Sequence, residues 1–200
     1  MRAKKVSTDV RQGQISQAAL KIIGEKGLGH LSISAIAKEV GITASNIYRH
    51  YKNKDDVLDA VLKVLHFRLL DNVSQSLAES DSGMSQLESI LMRHAQMITD
   101  NPAILLLMAT GGHYGKNEAI QSIVGAYRAA LASVVLKAQS EGNIDAGQPV
   151  QTVVIMFLGL LLPGAILVNI GDKDFDMMGH VKTAWPLFKQ GLKPISTSIE

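Results

Sequence analysis

Apolar residues recur at the spacing i, i+3, i+4, i+7 in segment after segment of this 200-residue chain, and nowhere does a useful length of strict alternation appear. That periodicity puts one apolar stripe on each of a series of helices and leaves no candidate strands. The expected fold class is all-α, with about nine helices. In the first of them Ile15, Ala18, Ala19, Ile22 and Ile23 share a face, and Gly27 and Gly29 end it. Ser32 then caps a helix of barely two turns with Ile33, Ile36, Ala37 and Val40 inward. Gly41-Ile42-Thr43 reads as a sharp turn, because a left-handed residue at a reversal is best supplied by glycine. A third helix is expected over residues 44–51. A long fourth opens at Asp55 and Asp56, whose charges suit a helix N-terminus.

Ser80 to Gly83 is a polar loop, and the next periodic segment stops at Asn101-Pro102. A short apolar stretch over residues 103–109 and a glycine-rich one over 111–115 follow. The remaining helices are expected from Ile120 to about Gly142, over residues 150–170 and over 175–192. The run at 153–168 is apolar on every side. At 16 residues, interrupted by Pro163-Gly164, it falls short of the ~20 that cross a bilayer. Burial against both its own core and a partner chain is the alternative. The expectation is no membrane, with a membrane-associated or structural helical interaction protein kept as the second reading.

Charge is uneven along the chain. Residues 1–55 carry 10 Lys and Arg against 4 Asp and Glu, whereas the rest carries 10 against 14. A basic head on a mildly acidic body points the head at a polyanion. The chain has no cysteine, which excludes a disulfide framework and thiolate metal sites. With no apolar stretch after the basic N-terminal residues, a secretory signal is not expected and a cytoplasmic location is. The six histidines are scattered, without HExxH spacing, and no phosphate-binding glycine loop is present. No enzyme, no metal site and no cofactor are expected. His94, on an apolar helical face, reads as a satisfied core residue.

Two short helices joined by three residues, with Ala37 at their close approach and Gly41 in the turn, have the spacing of a helix-turn-helix. The polar face of the second, Ser45, Asn46, Arg49 and His50, is flanked by Tyr48 and Lys54 and offers donors to phosphates and base edges. From Ile33 to Lys54 the sequence resembles the signature of the TetR, or tetracycline-repressor-like, family, and the first helix fits as well. Two departures stand out: Ser45-Asn46 replaces the usual Gly or Pro followed by Thr or Ser, and Tyr51 replaces Phe.

The resemblance implies a DNA-binding domain at 1–54 and an effector-binding and dimerisation domain at 55–200. It implies a ligand-responsive transcription regulator, a repressor, that binds a palindromic operator in double-stranded DNA as a homodimer joined through the last two helices. By position, Ser32, Tyr48, His50 and Lys54 would hold phosphates, and Ser34, Ala44, Ser45 and Arg49 would face bases. Arg49 is the only long donor there and the best candidate for a bidentate guanine contact. Lys4 and Lys5 form either a minor-groove arm or a frayed tail. The resemblance also implies a cavity for a small effector, whose binding moves the fourth helix. Met92, Met97, Met108, Met156 and Phe157 are candidates for an apolar lining, with His66, His113, Tyr127 and Asn169 as polar contacts. Each of these residue types is also routine in a core.

Overall fold

The structure, a computed structural model, describes residues 7–101, 117–170 and 174–194, with side chains at 117, 168 and 169 excepted. Nine α-helices and one 3-10 turn lie among the described residues, and no strand does. In chain order they are α1 Thr8–Lys26, α2 Ile33–Val40, α3 Ala44–Tyr48, α4 Lys54–Glu79, α5 Gly83–Asp100, α6 Asn117–Ser140, α7 Val150–Gly159, α8 Leu162–Asn169 and α9 Met177–Gly191. Lys4, Lys5, Met108 and His113 fall outside the described residues, as do the expected segments at 103–109 and 111–115.

The chain divides into two compact units, Met1–Phe67 with Asn101–Ile120, and Arg68–Asp100 with Gln121–Glu200. In the first unit the stripe of α1 is buried as its spacing requires, with Ile15, Ala19 and Ile23 at 0% exposure, against Ile36 and Ala37 of α2 and Ile47 of α3. Val57, Leu58 and Val61 from the start of α4 complete that core. Ser32 accepts a bond from the Ala35 amide at 3.1 Å, and Gly41 ends α2 in the left-handed region at φ 74°.

The third helix stops at Tyr48, short of the expected Tyr51. Its last turn tightens as Arg49 and His50 donate three residues back, to Asn46 and Ile47, while the Tyr51 amide also reaches Ile47. This frees the Tyr51 ring to enter the core, where its hydroxyl meets buried Ser16. The ring of Tyr51 therefore does the packing expected of Phe without leaving a polar atom orphaned. A reciprocal cap starts α4: Asn53 Oδ1 accepts from the Asp56 amide, and Asp56 Oδ2 from that of Lys52.

The second unit packs α9 on α5 and, near its N-terminus, on α8. Phe157, Trp185 and Phe188 form a buried aromatic cluster, the first two rings meeting edge-on with centroids 6.4 Å apart. Against expectation, residues 150–170 make two helices. Pro163 has no N–H to continue the ladder, and the carbonyl of Leu160 at the break is taken by His180 Nε2 at 3.0 Å. The first turn of α6, to Ile120, groups with the first unit and the rest with the second. Both α4 and α6 thus cross the division.

Gly83 opens α5 where a Cβ would come within 2.7 Å of the Ala138 backbone nitrogen. Backbone yields less readily than a side chain. Gly83→Ala should therefore destabilise the protein by about 1 to 3 kcal/mol, as overpacking does, read as a lowered denaturation midpoint with an unchanged slope.

Candidate nucleic-acid interface and effector site

Every residue of the head assigned to DNA lies at or near the surface. Ser32, Ser34, Ser45, Tyr48 and Arg49 are exposed, while Ala44, Asn46, His50 and Lys54 are partly so. Tyr48 is 56% exposed. An aromatic ring left out of a core with room for Tyr51 is available to a partner, and its hydroxyl is a donor suited to phosphate oxygen. Ala44 also packs against the head core, which sets how closely α3 approaches anything laid on it.

Two details of this surface escaped the sequence. Thr43 stands at the N-cap of α3, yet its side chain makes no capping bond and instead pairs with Ser45 Oγ at 2.9 Å. Their hydroxyls form a fixed donor-acceptor pair at the exposed start of α3. The only signal for it was two hydroxyl residues spaced i, i+2. Behind the face, Lys21 of α1 and Glu39 of α2 form an ion pair at 2.6 Å. Each raises or lowers the other in the direction of charge, the hydrogen bond being the larger cause. At such exposure the pair locates α2 on α1 more than it stabilises them.

The effector candidates have different surroundings. His66 is partly buried in the first unit, and Met97 is partly buried on α5. Phe157 is 1% exposed and committed to the aromatic cluster, whereas Met156, its neighbour, is 54% exposed on the outer face of α7. Successive residues on a helix point about 100° apart, so 156 and 157 meet different surroundings. The Asn169 side chain lies outside the described residues, as do Met108 and His113.

Tyr127 is the candidate that gains most. It is 4% exposed on the inner stripe of α6 and bonds His94 Nδ1 of α5 at 3.0 Å, the rings edge to face with centroids 5.3 Å apart. His94 is therefore satisfied at one nitrogen, as expected, but by a residue 33 positions away. Burial lowers the imidazole to about 4 and raises the phenol, with no charged group contributing to either. Both rings are neutral throughout the physiological range.

A pH dependence of stability follows. Above its ordinary value of 6.5 the imidazole is neutral folded or unfolded. Below that the unfolded chain takes up a proton that the folded one refuses until about pH 4. Stability should fall across that window by on the order of 3 kcal/mol. Urea midpoints measured from pH 7 to pH 4 should show a steeper decline for the wild type than for His94→Gln; parallel curves would contradict it.

Residues 15–61 match the family model for bacterial regulatory proteins of the tetR family. The chain is similar to the fatty acid metabolism regulator protein of Bacillus subtilis (strain 168), 22% identical over 182 residues that cover 90% of this chain and 94% of that one. Two solved structures share its fold. One is the fatty acid degradation regulator FadR from Bacillus halodurans, at TM-score 0.81 and 20% identity, covering 96% of this chain and 100% of that one. The other is FadR from Bacillus subtilis in complex with stearoyl-CoA, at TM-score 0.75 and 20% identity, covering 90% and 98%.

Proposed function

Because the chain belongs to the tetR family of bacterial regulatory proteins, we propose that it is a cytoplasmic repressor that binds a palindromic operator as a homodimer and is released by an effector bearing a long acyl chain. The observation that carries the DNA-binding part is the head itself: a capped two-turn helix, a left-handed glycine and a short third helix with exposed Ser45, Tyr48 and Arg49. In this reading Ser32, Tyr48, His50 and Lys54 hold phosphates, and Ser34, Ala44, Ser45 and Arg49 meet bases, with Asn46 beside them. The functional boundary falls at the start of α4, leaving 1–54 for DNA and 55–200 for effector and partner.

Support for the acyl effector comes from the relatives, one of them solved with stearoyl-CoA. Support for the dimer is the large apolar side chains left open on the last three helices. Ile155, Met156, Leu162, Ile166 and Leu187 are 48 to 69% exposed, and Ile170 beyond α8 is 71% exposed. A patch of this kind needs a cover, and a second copy gives it one by two-fold symmetry.

The two segments Glu118–Ser140 and Val150–Leu167 are long and apolar enough to cross a membrane by length and composition, which sustains a second reading, a membrane-associated helical protein. One experiment separates the two. Selection of bound duplexes from a random pool, on protein recovered from the supernatant of a sedimented lysate, should enrich inverted repeats whose half-site centres lie about one helical turn or more apart. Protein that pellets with membranes and enriches no sequence would overturn the regulator reading.

A further inference from the structure

The His94–Tyr127 pair sits where an interior ought to be sealed. On α5 the stripe 87, 90, 91, 95, 98 is 0 to 5% exposed, yet His94, in the middle of that stripe, keeps accessible surface. The same imidazole is so far from bulk water that burial alone moves its titration. A deeply placed ring that keeps accessible area has room beside it for a ligand atom.

Counting hydrogens shows what the pair can offer there. A neutral imidazole carries one N–H and a phenol one O–H. The bond between Nδ1 and the Tyr127 hydroxyl uses one of them, whichever tautomer is present. One donor is left over, on Nε2 or on the hydroxyl, and no other described residue is bonded to either ring. A spare buried donor calls for an acceptor.

Charge on the surrounding elements is directed elsewhere. Arg93 of α5 reaches Glu79 and Gln75, Arg128 of α6 reaches Gln151, and His180 of α9 holds the Leu160 carbonyl. Lys182 of α9 is exposed. Arg68 of α4 has a partner of its own, and no charged group moves the titration of either ring, so among the described residues a ligand head at the pair would find a donor but no cation.

We propose that His94 and Tyr127 bind the head of the effector, and that they take a neutral carbonyl oxygen, as in an acyl ester or thioester, in preference to a free carboxylate. This rests on the acyl reading above and adds the atom recognised. A neutral carbonyl accepts the one hydrogen and brings no charge. A carboxylate brings a charge that no described residue there balances, and entry of an unpaired charge into such a site is costly.

The test uses the full-length wild-type protein and three probes with one chain length: methyl laurate, laurate and the corresponding dodecyl methyl ether, which lacks the carbonyl. At about pH 8 the ester should bind at least tenfold more tightly than laurate. Laurate affinity should recover by about tenfold per pH unit on lowering the pH toward about 6, because only the protonated acid enters, whereas the ester should not respond. The ester should also outbind the ether by roughly three- to tenfold, the worth of one net hydrogen bond. In His94→Phe/Tyr127→Phe that last advantage should vanish with ether affinity kept. If the double variant does not fold, the wild-type comparisons still decide. Laurate binding as tightly as ester, without pH response, would mean that a cation reaches the head and would overturn the inference while the acyl reading stands. Equal binding of ester and ether by the wild type would do the same. Binding of none of the three would sink the acyl reading and the inference with it.

Discussion

Ile166→Glu should yield a monomer in light scattering whose affinity for a two-half-site operator falls by at least about a hundredfold. Ile166 lies on α8 and is 48% exposed, so the substitution leaves the core of its own chain nearly untouched. In a dimer the two-fold axis places the new carboxylate in an apolar interface twice. Obligate interfaces of this kind exceed about 2,000 Å² and have no polar groups to spare for a buried charge. Loss of the dimer then removes the tether between two heads, and such a tether contributes about 10² to 10⁴ to affinity. Leu161→Glu provides the contrast. Leu161 is 3% exposed within its own chain, so the same charge there should unfold the protein and should not produce a soluble monomer. Circular dichroism beside the scattering separates the two. Ile166→Glu that stays dimeric would mean that the open face of α8 has another purpose.

Arg49→Ala and Lys54→Ala remove the same charge and should fail differently. Arg49 is exposed in the turn that closes α3, and Lys54 is the first residue of α4. Lys54 stands where the positive end of α4 and its own ammonium both favour phosphate. Its loss should weaken all duplexes alike and reduce the slope of log K against log salt by about 0.9 per contact, or about twice that for a dimer. Arg49 carries the one guanidinium fork among the residues assigned to DNA, and such a fork can span a guanine edge. Its loss should cost about 1 to 3 kcal/mol per half-site on the operator and relax preference at one base pair. Titrations against operator and scrambled duplex at several salt concentrations distinguish these outcomes. Equal weakening of both duplexes by Arg49→Ala would make Arg49 another phosphate anchor.

The sequence was most legible where local chemistry decides the structure. Ser32 and Gly41 define α2 through a side-chain cap and a left-handed turn, both properties of single residues. The spacing of Ile15, Ala18, Ala19, Ile22 and Ile23 maps directly onto buried surface because α1 has one neighbour face to meet. What stayed hidden depends on partners distant in the chain. The end of α3 is set by Tyr51 finding Ser16, and the break between α7 and α8 by His180 reaching Leu160 as well as by Pro163. The effector candidates were hardest. Methionine and phenylalanine serve a core and a pocket equally well, so only position told Phe157, in the aromatic cluster, from Met156, on the surface. His94 was legible as a satisfied core residue, but its partner was not, because Tyr127 is on another helix.

Binding of one fluorescent operator duplex, selected by the protein itself, should be measured across a titration of stearoyl-CoA, with stearoyl-CoA binding measured in turn at saturating duplex. Two ligands of a coupled regulator oppose each other by one common factor, about 5- to 150-fold in typical cases. Stearoyl-CoA should weaken duplex binding by a factor in that range, and duplex should weaken stearoyl-CoA binding by the same factor. Duplex affinity that stays constant while stearoyl-CoA saturates the protein would contradict that coupling.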